Sequence, residues 1–300
     1  MRIRLALEPG LATAVDRRVV AAGASGWLVA EPVLGLAPAR SEGWDTIYDG
    51  PAALGGGAAR LRCRQRGGRY LVEVEGGGVF EVGPGEVVQR PSSPPTSLKR
   101  AIETVFGPPV VLAMAQAALW CVHASGTLRS RDGRAEACLF LGVSGSGKST
   151  LAASFAEPSS RRGGWRRIAD DVVPVVHGGE DPRVWALPRF PQLKLSEDEE
   201  RRRESPERVA VAHVYVLSGA VTEDRVEIAR LPPAAAALAL VEHAVGTRLL
   251  AREDLRRHLD FIRRAAAACP VYVLRYPRDR RWLPRVRATI GSSLDAAASS

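Results

Sequence analysis

The sequence predicts an α/β protein in which a small β-rich N-terminal domain, residues 1–95, precedes a mixed-sheet α/β domain, residues 96–300. Three observations predict it. Short alternating runs separated by glycine turns fill the first part, as expected of strands and hairpins. Apolar strand-like and helix-like segments interleave in the second part, with more strand pairs than a plain doubly wound sheet. A strand, a glycine loop and a helix follow one another around Gly142–Thr150.

In the first part, Met1 to Glu8 alternates Ile3, Leu5 and Leu7 against Arg2, Arg4 and Ala6, a strand pattern. Arg60 to Arg66 and Arg69 to Glu75 flank Gly67-Gly68 and read as a hairpin. Val79 to Val82 and Val87 to Arg90 form a second hairpin around Pro84-Gly85. The expectation is a small antiparallel domain without a catalytic constellation. Pro91 to Ser97 reads as a linker, with Ser97 placed to cap a helix from Leu98 to Val105.

In the second part, residues 108–120 read as an apolar helix opened by Pro108-Pro109. Cys121 to Leu128 reads as a strand, and Arg131-Asp132-Gly133-Arg134 as the turn into the strand Ala137 to Leu141. This hairpin places His123 in the sheet that feeds the glycine loop. After the loop helix comes a polar connection, Arg161 to Trp165, then a strand from Arg167 to Val176 that carries Asp170-Asp171. Further strands are expected at Arg183 to Leu187, Val209 to Leu217, Asp224 to Leu231 and Val271 to Tyr276. Ser196 to Glu207 reads as a charged helix or loop. Helices are expected at Ala234 to Val245, at Arg252 to Ala268 with Leu255, Leu259 and Ile262 on one face, and near Leu283 to Leu294.

The loop Gly142-Val143-Ser144-Gly145-Ser146-Gly147-Lys148-Ser149-Thr150 fits the phosphate-loop pattern G-x-x-x-x-G-K-[ST] in the required context. Glycines let the backbone turn sharply and aim its N–H groups at an anion. Lys148 would reach the β- and γ-phosphates, and the Ser149 hydroxyl would ligate Mg²⁺. Nothing in such a loop separates ATP from GTP.

Composition excludes several classes. No run reaches the ~18 apolar residues of a membrane span, and the longest, Val110 to Val122, is interrupted by Gln116. Glu8-Pro9 cuts the N-terminal apolar stretch short of a signal peptide. Cys63, Cys121, Cys138 and Cys269 are scattered without C-x-x-C or metal-ligand spacing, as in reduced thiols of a cytoplasmic protein. The net charge is +9, yet only three of the 42 basic residues are lysines and the arginines are spread along the chain. No aromatic-interleaved basic module appears, which argues against nucleic acid as partner and for a basic groove holding an acidic or phosphorylated ligand.

Phosphoryl transfer needs a Mg²⁺ ligand and a group to take the acceptor's proton. Asp170-Asp171 is the candidate pair. Neighbours in a regular strand face opposite ways, so a strand end or bulge is required for both to serve one site. Their division of labour is open on the residues alone, and His123 alone fits a satisfied core histidine as well as a site residue.

Only Ile168-Ala169 precede the two aspartates as an apolar pair, the longer apolar run coming after them. This order, with Val122-His123-Ala124-Ser125 upstream and the loop between, resembles the kinase domain of HPr kinase/phosphorylase and the smaller HPr-kinase-like proteins. Phe106-Gly107-Pro108 and Phe190-Pro191-Gln192-Leu193-Lys194-Leu195 are similar to that group as well. The resemblance implies the P-loop fold of the HPr kinase/phosphoenolpyruvate carboxykinase type. It implies an ATP- and Mg²⁺-dependent kinase moving the γ-phosphate to a serine hydroxyl of a protein or ribosomal peptide, such as the peptides modified by lasso-type kinases. Carried over by position, the amides of Gly142, Ser144, Gly145, Ser146 and Gly147, with Lys148, Ser149 and Thr150, hold the nucleotide. Ser149 and Asp171 serve the metal, Asp170 is the base, and His123 lies near the transferring phosphate. The hexamer of HPr kinase implies a homo-oligomer. The glycine-rich segment that HPr kinase/phosphorylase carries downstream has no clear counterpart, which argues against a phosphorylase half-reaction and against HPr as acceptor. A nucleotide-binding regulatory module and a small-molecule kinase or NTPase are the competing expectations. His177, His213, His243 and His258 read as structural.

Overall fold

In the computed structural model, β1 (Ile3–Leu7) leads into a helix, α1 (Pro9–Ala22), and returns through β2 (Leu28–Pro32), which pairs parallel to β1. The described residues are 2–35, 37–39, 42–54, 57–131, 133–157, 164–178, 181–195, 197–202, 205–219 and 224–298. The expected turn residue Asp132, the first residues of the connection at 161–163 and the helix start at Ser196 lie outside them. The chain is a mixed α/β protein with two compact units. The first comprises Met1–Cys121, Arg189–Arg202 and Val245–His258, and the second Val122–Pro188, Arg203–Ala244 and Leu259–Ser300.

The first unit holds a seven-stranded sheet in the order β2-β1-β7-β6-β5-β4-β3. Here β3 is Asp45–Leu54, β4 Gly57–Arg66, β5 Arg69–Val74, β6 Gly78–Gly83 and β7 Glu86–Arg90. Both expected hairpins form, with Arg66 opposite Arg69 and Gly83 opposite Glu86. The sheet is not purely antiparallel as expected, because β1 pairs parallel to both β2 and β7. A parallel neighbour in sequence needs a crossover, and α1 supplies it. Pro9 sits at the first turn of α1, where it is tolerated, and Leu11, Val15 and Val19 are buried at helical spacing. Gly23 closes the helix in the left-handed conformation, its N–H reaching the carbonyls of Val19 and Val20.

Two helices follow Pro91–Ser97: α2 (Leu98–Phe106) and α3 (Pro108–Gln116). Ser97 caps α2 as expected, its hydroxyl accepting from Arg100 N–H at 3.1 Å. Packing breaks inside the strand β8 (Trp120–Arg131), not at the proline-rich segment, because α2 and α3 pack within the first unit. The apolar helix ends earlier than expected, since Ala118 turns left-handed at φ 57° to launch β8. Phe190 is buried in this unit between Trp27 and Phe106, with ring centroids 6.2 and 6.0 Å away. The segments around Phe106 and Phe190 therefore meet here. The charged segment forms α5 (Glu197–Arg202).

The second unit contains a seven-stranded mixed sheet in the order β11-β10-β8-β9-β12-β14-β13. Its members are β8, β9 (Arg134–Leu141), β10 (Trp165–Gly178), β11 (Asp181–Ala186), β12 (Val209–Leu217), β13 (Glu227–Arg230) and β14 (Val271–Arg275). A further pairing of β11 with β12 closes five strands into a barrel-like ring. β9, β12 and β14 run parallel. One face is covered by α4 (Lys148–Ser154) and α8 (Leu283–Ala298). Leu151 and Phe155, four apart as expected, are both fully buried among Phe140, Trp165, Tyr215, Val286 and Ile290. Burying each such large side chain contributes roughly 1.5–3 kcal/mol.

On the other face, Leu139, Val211 and Val214 meet Leu240 of α6 (Pro233–Glu242) and Phe261, Ile262 and Ala265 of α7 (Arg252–Ala268). The buried stripe of α7 is therefore rotated from the expected one: Leu259 is 48% exposed and Phe261 takes its place. All four cysteines are free and buried. No helix among the described residues is long and apolar enough to cross a membrane.

Candidate functional site

The site is built at the carboxyl end of β9. Gly142, Gly145 and Gly147 adopt φ values of 150°, 78° and 92°, a region L side chains rarely enter. A Cβ on Gly142 would stand 2.6 Å from Ser146 Oγ and 3.2 Å from the Leu217 carbonyl oxygen, so the loop's first turn has room only for glycine. Ser146 N–H closes that turn on the Val143 carbonyl at 3.1 Å.

Lys148 is 6% exposed, and its Nζ donates to the carbonyls of Gly142 at 2.6 Å and Val143 at 3.1 Å. The cation is thereby held over the loop. Ser146 Oγ is buried without a hydrogen-bond partner. A buried hydroxyl left so is costly unless a ligand completes it. Ser144 and Gly145 are exposed at the loop's tip, and Ser149 and Thr150 are exposed on the first turn of α4.

Beside β9, β8 runs antiparallel with Ala124 opposite Leu141, which brings His123 level with the start of the loop. His123 Nε2 lies 3.4 Å from Asp171 Oδ1, and both side chains are about one-third exposed, at 36% and 32%. Asp171 departs from regular strand backbone, with φ 134°, strained for a non-glycine residue. Asp170 takes the opposite environment. It is 4% exposed, accepts from Ser125 Oγ at 2.5 Å and pairs with the Arg167 guanidinium. The two aspartates thus do different things, and the accessible one is Asp171.

His243, read from sequence as structural, joins the group. Its carbonyl accepts from His123 N–H at 2.8 Å, and a bridge pairs Val122 with Ala244. Burial pushes its imidazole below the ordinary range, with the nearby charges of Lys148 and His123 adding to the effect against Glu242. No local motif marks His243, because α6 delivers it from more than a hundred residues downstream of His123. His213 is buried with Nδ1 2.9 Å from Tyr215 Oη, and the His258 ring lies tilted against Trp120, centroids 4.8 Å apart.

Among the described residues no group of three or more His, Cys, Asp or Glu side chains converges on a point. Mg²⁺ does not need one, since it keeps several waters and takes one or two protein oxygens plus substrate phosphates. The exposed hydroxyl of Ser149 and the carboxylate of Asp171 suit that donor set. No protein-family model matches the chain, and no curated protein sequence matches it.

Proposed function

We propose that the second unit binds ATP with Mg²⁺ and transfers the γ-phosphate to a serine hydroxyl of a protein or ribosomal peptide, on a P-loop fold of HPr-kinase-like type. The observation that carries this reading is the conjunction of the glycine loop and its buried Lys148 with the His123–Asp171 pair on neighbouring strands. The orphaned Ser146 hydroxyl supports it.

In this reading the amides of residues 142–147 and Lys148 bind and orient the polyphosphate. Mg²⁺, held by Ser149 Oγ and the Asp171 carboxylate, would neutralise charge on the phosphate oxygens. The Asp171–His123 pair receives the proton of the attacking hydroxyl, because a base must reach its acceptor. Asp170, implied by the resemblance as the base, instead fixes β10 through Ser125 and Arg167. His243 holds the His123 backbone through its carbonyl, and burial pushes its own ring below the ordinary range.

Incubation with γ-labelled ATP, Mg²⁺, host lysate and candidate peptides tests the proposal. Phosphoserine that forms with the wild type and disappears with Lys148→Ala and Asp171→Asn supports it. Tight ATP binding with no labelled acceptor overturns it in favour of a nucleotide-binding regulatory module. The burial of Asp170 favours that second reading, since it removes one carboxylate from the chemistry.

A further inference from the structure

We propose that Arg278 is a second cation for the polyphosphate, acting beside Lys148 on a nucleotide held by the loop. The inference rests on the nucleotide-binding reading above and adds a residue that no motif marks.

β14 runs parallel to β12, and β12 runs parallel to β9, so the chain leaves β14 at the same edge as the loop. Ligands of open parallel arrays collect at that edge. Tyr276 follows directly and is 8% exposed, its hydroxyl 3.6 Å from where a Cβ of Gly147 would stand. Two residues on, Arg278 Nη1 donates to the Gly145 carbonyl at 3.1 Å. The arginine is exposed and rests on the exposed tip of the loop.

Among the described residues no carboxylate compensates its charge. The adjacent acid, Asp279, is committed elsewhere: Oδ1 accepts from Arg281 N–H at 2.9 Å and Oδ2 pairs with Arg281 Nε at 3.1 Å. Among the described residues Arg278 reaches no carboxylate within ion-pair distance. Other arginines of the unit do, as in Arg287 with Glu157 at 2.9 Å and Arg129 with Asp295 at 2.8 Å.

A guanidinium on a neutral carbonyl at a solvent-exposed tip is held weakly. A phosphate offers it two parallel charge-assisted hydrogen bonds, each roughly twice as strong as a neutral one. The contact with Gly145 is therefore the resting position of a side chain that exchanges the carbonyl for phosphate oxygens when a nucleoside triphosphate or diphosphate enters. Lys148, buried against Gly142 and Val143, grips from within, and Arg278 closes from outside.

Calorimetric titration of MgATP, MgADP and AMP into the full-length wild type, Arg278→Ala, Arg278→Lys and Lys148→Ala tests this. Arg278→Ala is expected to weaken MgATP by about tenfold or more, the loss of a hydrogen-bonded charge contact. AMP is expected to change little, and Arg278→Lys to recover part of the loss. The melting temperature of the ligand-free alanine variant should equal that of the wild type, because the side chain is exposed. Wild-type affinity in Arg278→Ala together with lost binding in Lys148→Ala overturns the inference and leaves the nucleotide reading standing. Equal weakening of AMP and MgATP also overturns it, by assigning Arg278 to the base. A wild type that binds none of the three overturns the nucleotide reading itself.

Discussion

His123 Nε2 stands 3.4 Å from Asp171 Oδ1 across two neighbouring strands, and so brings a partly accessible carboxylate and an imidazole together beside the glycine loop. An exposed pair at this distance is worth little to stability. What it offers the proposed kinase reading is orientation, since the carboxylate can fix the position of the ring.

Asp171→Asn and His123→Ala should each lower phosphate transfer by about 10²- to 10⁴-fold, the usual range for lost acid–base help. MgATP affinity should fall less for His123→Ala than for Asp171→Asn, which also removes a metal oxygen. Single-turnover transfer and calorimetry on the same preparations measure both. Unchanged transfer in either variant would remove the pair from the mechanism.

Asp170→Asn should act mainly on stability. It leaves the Arg167 guanidinium without its carboxylate inside β10, and the asparagine replaces a charged acceptor for Ser125 Oγ. Breaking a largely buried ion pair from one side costs about 3 kcal/mol, somewhat less here because Arg167 keeps some solvent. Urea denaturation should show the loss; equal stability with abolished transfer would return the base role to Asp170.

Gly142→Ala should disable the loop, whereas Gly145→Ala should be milder. Both residues hold positive φ, but an added methyl at Gly142 strikes Ser146 Oγ at 2.6 Å, and at Gly145 it meets open space. The conformational cost alone is roughly 1–2 kcal/mol per residue. Nucleotide titration of the two variants, alongside their melting temperatures, separates strain from collision.

Stability should fall as the solution is acidified below neutrality. Burial, aided by Arg230, pushes His213 down to about 4, and burial does the same to His258. Both rings are depressed in the folded chain, so the unfolded chain binds the extra protons between its own value near 6.5 and about 4. Their contribution is full above about pH 6.5 and is lost as the pH drops toward 4, by about 1.4 kcal/mol per pH unit for each ring. His213→Phe, which keeps an aromatic ring beside Tyr215 and Tyr272, should lower the slope by that one ring's share in denaturant titrations at several pH values. An unaltered slope would show that His213 takes up its proton over the same pH range in the folded and unfolded chain.

Local patterns made much of the fold legible. Gly67-Gly68 and Pro84-Gly85 mark turns whatever surrounds them, because few residues accept those backbone angles. Ser97 announces α2, and Leu151 with Phe155 announces the buried face of α4. The strand–loop–helix context of Gly142–Thr150 needs only local chain geometry. The spacing of Leu11, Val15 and Val19 carries α1 as well, behind a Pro9 that the first turn of a helix tolerates.

The sequence by itself determined the loop, the lysine that serves it and the two adjacent acids, since each is written in contiguous residues. Tertiary structure alone decided which acid is buried and which is exposed. That depended on Ser125 and Arg167 reaching Asp170, and on β10 twisting to φ 134° at Asp171. It also decided that His243 and Arg278 belong beside the loop, through a helix and a strand end far along the chain. Side-chain environment is set by neighbours in space, and no short-range pattern encodes which strands and helices will supply them.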